Sequence, residues 1–368
     1  MRGLPRDVVK AVEQIIDDVA ARGLDAALEY SRRLDGTAPE SPLLEPRPGG
    51  DPEVVAAALK AAEALETFYR KLTPSGAADY YGGVLRVVQW RPVRSAALYV
   101  PARYISTLVM LAVPAKTAGV EKIYVVTPPK GATPELLAVA KDLGVSAVVP
   151  IGGPQGLAYA VFHLGIDVAA GPGGLYVQAA KYVLSQYVGI DGIEGPTELV
   201  VYAEGVDAET AMRGVLAQLE HGPTSFAHLL SPDAQLLRRA EEIYAREKTS
   251  SMGPLKTHLV ADVEEAVRLI DEVAPEHLEV WGRREVAYRV RNVGAVSVNM
   301  PSPYLDYAAG ISHVLPTGGS ARWRGIITPH TFMKPIGIAE AAGPLQLLDA
   351  ARKLAEYEGF PHHREALR

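Results

Sequence analysis

Two neighbouring residues, Glu276 and His277, stand in the stretch DEVAPEHLEV (Asp271 to Val280) and offer a carboxylate and an imidazole directly after a proline. Imidazole titrates near neutrality, and a partly buried Glu can be raised toward it, so the pair suits general acid–base work. Helical spacing of Val263, Ala266, Val267 and Ile270 leads up to it. Pro275 cannot continue that helix, because it lacks an N–H and clashes with the preceding turn. The pair is therefore expected on a turn entering the short apolar run Leu278 to Trp281. Side chains of neighbours in such backbone diverge, which predicts two separate catalytic steps and no shared proton.

A second set could hold a metal. Gln218 and His221 are spaced i, i+3 near the end of one helix (QLEHGP), a spacing that places both on one face. Asp306 and His313 lie in SPYLDYAAGISHVLPTGG, a run poor in regular structure, and the tail adds Glu358, His362 and His363. Imidazole, carboxylate and amide oxygen form a donor set suited to Zn²⁺, Co²⁺ or Mn²⁺. With no Cys in the chain, a thiolate site is excluded and any metal needs N and O ligands. By residue type alone, scattered polar caps remain an equal account of these positions. Gly-rich turns, IGGPQG (Gly152, Gly153, Gly156) and GPGG (Gly171 to Gly174), could cradle a pyrophosphate ahead of a helix. Neither is the GxGxxG fingerprint, so plain strand-to-helix turns explain them as well.

The elements that must position these groups follow an alternating rhythm. Strand-like runs at 96–100, 122–126, 146–150 and 198–203 alternate with helical patterns such as 108–118 and 134–143, which predicts a parallel, doubly wound sheet. The rhythm resumes with a helix at 205–220, a strand at 226–231, a helix at 234–246, a strand at 257–261, the helix before Pro275 and a strand at 294–299. The expected fold is thus α/β, with two Rossmann-like (doubly wound) domains in tandem. Before them the chain reads as mainly helical over its first 90 residues. After about Gly318 the tail shows no strand rhythm, only a helix from Leu345 to Tyr357, and reads as an arm that crosses to a partner subunit. The expected division is 1–97 plus 199–322 as one Rossmann-like domain with the N-terminal helices, 98–198 as the second, on the cofactor side, and 323–368 as the arm.

Bulk properties narrow the classes of function. A chain of 368 residues exceeds one ordinary core, and 48% hydrophobic with 22% charged residues is a globular composition. A net charge of −6 without a long basic run argues against a nucleic-acid partner. The amphipathic, acidic start lacks an apolar signal core and no apolar run approaches about 18 residues, so a cytoplasmic protein with no membrane partner is expected.

The runs LYVP (98–101), AVPAKTAGV (112–120), VTPP (126–129), IGGPQGLA (151–158), GPTE (195–198), QLEHG (218–222), APEHL (274–278) and DYAAGISHVLPT (306–317) stand in an order that closely resembles the histidinol dehydrogenase family. The resemblance covers nearly the whole chain, and the PEHL and HVLPT motifs are the specific ones. It implies NAD-dependent, zinc-dependent oxidation of L-histidinol to L-histidine through the aldehyde, the last step of histidine biosynthesis, with two NAD⁺ and one Zn²⁺. Residue by residue it implies Gln218, His221, Asp306 and His363 as metal ligands, the last from the partner of an intertwined homodimer with shared active sites. It further implies His277 as the base for the alcohol proton and Glu276 as the activator of water on the aldehyde. Thr197, His313 and Glu358 resemble substrate-lining positions, alongside the metal ligands and His277. Tyr99, Gln155 and Gly174 occupy the cofactor-contact positions. Three positions depart from the family pattern: Thr197 stands for Ser, which keeps the hydroxyl; Gly174 stands for Asn; and the loop PARYIST after Tyr99 is short. The last two touch the cofactor and bear on NAD against NADP. Beside this reading stand a related dehydrogenase for another amino alcohol, a metal-dependent hydrolase, which would lack the helical HExxH motif, and a non-catalytic imidazole-binding protein, which would have lost an acid–base residue where none is missing.

Overall fold

The computed structural model describes residues 4–193 and 195–367, so the extreme ends of the expected first domain and arm lie outside the described residues. Three helices open the chain. In α1 (Arg6–Arg22) the residues Val8, Val12, Ile15, Ile16 and Val19 form one buried stripe, the face that helical periodicity demands. α2 (Leu24–Leu34) follows directly. α3 (Pro52–Tyr69) starts where Asp51 accepts from the Glu53 N–H, with Pro52 at its first position. A hairpin, β1 (Ala77–Tyr81) and β2 (Val84–Pro92), then leads into the first α/β unit.

That unit runs β3 (Ser95–Tyr99), α4 (Ile105–Ala118), β4 (Lys122–Val126), α5 (Pro134–Asp142), β5 (Ala147–Val149), α6 (Gly153–Tyr159), β6 (Val168–Ala170), α7 (Leu175–Leu184) and β7 (Gly189–Ile190). Its sheet is parallel in the order β5-β4-β3-β6-β7. The second unit runs β8 (Glu198–Ala203), α8 (Ala208–Leu219), β9 (Phe226–Ser231), α9 (Ala234–Glu247), β10 (Leu255–Leu259), α10 (Val263–Val273), β11 (His277–Trp281), α11 (Glu285–Arg289) and β12 (Ala295–Val298). It repeats the same winding, β10-β9-β8-β11-β12, again parallel. Each sheet starts at its centre, grows to one edge and returns to the other, so each has a switch point beside its first strand. Helices on both faces bury such strands completely, and all six residues of β8 are buried.

The chain closes with α12 (Ser302–Tyr307), an irregular stretch to Phe332, β13 (Met333–Ala341), α13 (Leu348–Tyr357) and α14 (Pro361–Ala366). Tyr69, fully buried at the end of α3, donates to the Ile327 carbonyl at 2.7 Å and accepts from the Ser312 N–H at 3.0 Å. The irregular stretch is thereby tied to the N-terminal helices. Among the described residues no helix is long and apolar enough to cross a membrane.

Two expectations need correction. The tail does contain a strand: β13 pairs antiparallel with β2 from Met333 opposite Pro92 to Ala341 opposite Val84, completing a three-stranded sheet. The N-terminal helices belong with the first α/β unit, not with residues 199–322. α1 and α2 share an apolar cluster with Val126, Val149, Leu157 and Val183, and α3 shares another with α4 and α5. Their apolar stripes cover the first parallel sheet, which follows them after the hairpin.

Candidate active site

One cavity of about 350 Å³ lies where the two units meet. The first unit lends the carboxyl edge of its sheet: Pro101 and Tyr104 follow β3, and Pro172 to Gly174 follow β6. The second lends the amino edge: Thr197 precedes β8, and Glu276 and His277 enter β11. Gln218 on the last turn of α8, His221 just beyond it, Asp306 on α12 and His313 complete the wall. Switch-point crevices at strand carboxyl ends are the usual ligand sites of such sheets, and here the second sheet closes the crevice of the first.

A left-handed residue, Ala274 at φ +53, ends α10 and turns the chain so that Glu276 and His277 both line the cavity. The expected divergence of these side chains is therefore corrected. His277 Nε2 lies 3.9 Å from Glu276 Oε1 and 3.5 Å from Asp306 Oδ1. The first separation exceeds hydrogen-bond range, so the two do not share a proton. Glu276 Oε2 accepts from the Glu198 N–H at 3.2 Å, which orients its carboxyl group. Burial pushes the His277 pKa down to about 3, with His313 and His221 adding to the effect, so the ring is neutral.

The neighbouring imidazoles are held by their surroundings. His313 Nδ1 lies 2.7 Å from the Asp306 carbonyl and donates to it, which leaves Nε2 to accept from the Thr107 hydroxyl at 3.4 Å. His221 Nδ1 sits 3.1 Å from Thr197 Oγ1. Burial lowers the pKa of both rings. Burial also raises Asp306 to about 7, against a hydrogen bond from Gln218 Nε2 at 3.3 Å. Gln218 Oε1 and Asp306 Oδ1 are buried and have no hydrogen-bond partner among the described residues. Orphaned acceptors at one wall, beside imidazoles, are the polarity that a cation would satisfy.

Thr197, Gln218, His221, Glu276, His277, Asp306, His313 and Gly174 thus come together in the cavity. Glu358, at the end of α13, and His363, on α14, do not line it in this chain; both are exposed. Tyr99 and Gln155 do not line it either. The Tyr99 hydroxyl accepts from the Gly153 N–H at 3.3 Å, and Gln155 Nε2 donates to Asp35 Oδ2 at 3.2 Å, on the flank where α2 meets α6. At Gly174 a side chain would enter open space at the start of α7. Sequence reasoning missed Thr107, Glu279 and Ser302. For Glu279 a signal existed, since a carboxylate inside the apolar run HLEVW must be buried with partners.

A tandem switch-point α/β fold with a polar cleft between its sheets defines the α/β class of proteins that hold a small ligand at strand ends. Residues 4–368 match the family described as histidinol dehydrogenase. The chain is 74% identical to the histidinol dehydrogenase of Pyrobaculum aerophilum, covering the whole of both, and 39% identical to that of Saccharolobus solfataricus, covering 98% of this chain and 95% of the relative. Its fold is similar to the crystal structure of histidinol dehydrogenase from Elizabethkingia anophelis, with a TM-score of 0.88 at 24% identity over 100% of this chain and 93% of that one. The chain belongs to the histidinol dehydrogenase family and is an oxidoreductase.

Proposed function

We propose that the cavity oxidises L-histidinol to L-histidine through the aldehyde, in two NAD⁺-dependent steps and with one bound divalent cation, zinc by family resemblance. The observation that carries this reading is the pair of buried, unpartnered oxygens on Gln218 and Asp306, two residues that line one cavity with His221 and His277. Their donor types fit a borderline-hard cation. Gln218, His221 and Asp306 would hold it, with His363 from the partner subunit of a homodimer. When bound, the cation would supply an orienting template for the substrate. Gly174, at the carboxyl edge of the first sheet, would lie against NAD⁺, which would supply the hydride acceptor when bound.

The side chains of the chain do the rest. His277 takes the alcohol proton on a ring that lines the cavity, with Nε2 3.5 Å from Asp306 Oδ1. Glu276, oriented by the Glu198 N–H, takes a proton from the water that adds to the aldehyde. Thr197 and His313, with Glu358 from the arm, line the substrate. Burial of this wall keeps bulk water from the aldehyde between steps.

The test is absorbance of reduced cofactor with histidinol, before and after chelator treatment. Two NADH per substrate, lost on metal removal and restored by Zn²⁺, is the expected result. NADH from another amino alcohol but not from histidinol would move the assignment to that substrate, and none from any amino alcohol would end the dehydrogenase reading.

A further inference from the structure

We propose that Glu279, acting through Ser302, is the positioning residue that decides which end of the Gln218 amide is left unpartnered. Glu279 lies on β11 two residues beyond His277, so both side chains leave the same face of the strand. It is completely buried and takes part in no ion pair among the described residues. Its Oε1 accepts from the Ser302 backbone N–H at 2.6 Å and its Oε2 from Trp281 Nε1 at 3.1 Å. Both oxygens serve as acceptors. α8 is cut away to admit this group. Gly214, a residue that helix interiors disfavour, stands where a Cβ would fall 1.9 Å from Glu279 Oε1.

The consequence passes along one chain of hydrogen bonds. Glu279 holds Ser302 in place by its backbone N–H, and Ser302 in turn presents its hydroxyl oxygen to Gln218. Gln218 Nε2 donates to it at 3.0 Å, and also to Asp306 Oδ2 at 3.3 Å. The amide nitrogen is thereby turned inward, and Oε1 is left as the unpartnered end. The two ends of an amide are nearly the same shape, so nothing steric would prevent the reverse orientation, which would aim two N–H groups at a cation. Partners behind a ligand commonly tune a metal site in this way.

This rests on the reading of Gln218 as a cation ligand, and the test separates the two. The full-length protein, stripped with chelator, is titrated with Zn²⁺ against a chromophoric competitor. Glu279→Gln and Ser302→Ala are each expected to lower Zn²⁺ affinity by about 10–100-fold. The double variant should lose no more than the worse single one, because the two act in series. Unchanged affinity in Ser302→Ala, or losses that add, would overturn the proposal. Should Glu279→Gln fail to fold, Ser302→Ala alone decides by the same criterion. If the wild type takes up no Zn²⁺, the ligand reading fails and the orientation is still measurable. In metal-free protein labelled with ¹⁵N-glutamine, the Gln218 side-chain N–H groups should exchange slowly, and faster in Ser302→Ala; equal exchange overturns the positioning role.

Discussion

His277 and Glu276 face one cavity from adjacent positions, so single variants should separate their steps. His277→Asn is expected to slow the first hydride transfer by about 10²–10⁴-fold, the usual worth of a positioned base, read in single-turnover NADH formation from histidinol. Glu276→Gln should leave that phase largely intact and slow NADH formation from the aldehyde; equal loss in both phases would contradict the division. A third prediction concerns Glu198, whose carboxyl group is buried and raised to about 7, against N–H donation from Gly318. A raised pKa means that the native state binds the proton more tightly than the unfolded chain. Its contribution to stability is therefore present below about pH 4.5 and is lost as the pH climbs through about 7. Glu198→Gln removes that dependence, worth on the order of 3 kcal/mol across the window, and denaturant midpoints at pH 5 and 8 should lie closer together than in the wild type. The polar residues in runs such as QLEHG and APEHL were candidates by type, and it was the resemblance of those runs to a known family that singled them out. Thr107, Ser302 and Glu279 were not legible as a group, since they act through partners brought close only by the fold.

At the scale of elements, the GPGG turn shows how a loop is held. Gly171 donates its N–H to Asp191 Oδ2 and gives its carbonyl to Lys181 Nζ, and Lys181 pairs with Asp191 Oδ1 at 2.8 Å with both side chains 1% exposed. Lys181→Met removes that cation from the buried Asp191 carboxylate and should cost about 3–5 kcal/mol, measured by denaturant unfolding. Because the turn lines the cavity, the cofactor KM should rise as well. Both α/β units were legible in the sequence, and strands 122–126, 198–203 and 226–231 stand where their apolar runs put them. A parallel strand buried on both faces writes itself as a continuous apolar run. β13 escaped for the opposite reason: eight of its nine residues are exposed in this chain, and Pro335 and Gly337 interrupt it. With no buried face there is no alternation to read. The grouping of the N-terminal helices escaped too, because an apolar stripe states that a helix is covered without naming the sheet that covers it.

At the scale of the whole molecule, Leu354, Tyr357 and Phe360 of the arm are exposed, as are Tyr80, Tyr81, Ile336 and Ile338 on the three-stranded sheet. If His363 completes the site of a partner, two inactive variants should rescue one another. An equimolar mixture of His277→Asn and His363→Asn chains, unfolded and refolded together, is expected to regain about a quarter of wild-type activity, since half of the dimers are mixed and each mixed dimer has one intact site. No recovery, with mixed dimers shown by mass spectrometry, would confine each site to one chain. The Tyr69 hydroxyl carries a different lesson for anyone who would trim this enzyme to a minimal catalytic fragment. None of residues 4–70 lines the cavity, yet that phenol holds Ser312, the residue before His313. A shortened version that starts at the hairpin would keep every reactive side chain and lose the peg on which one wall of the cavity hangs.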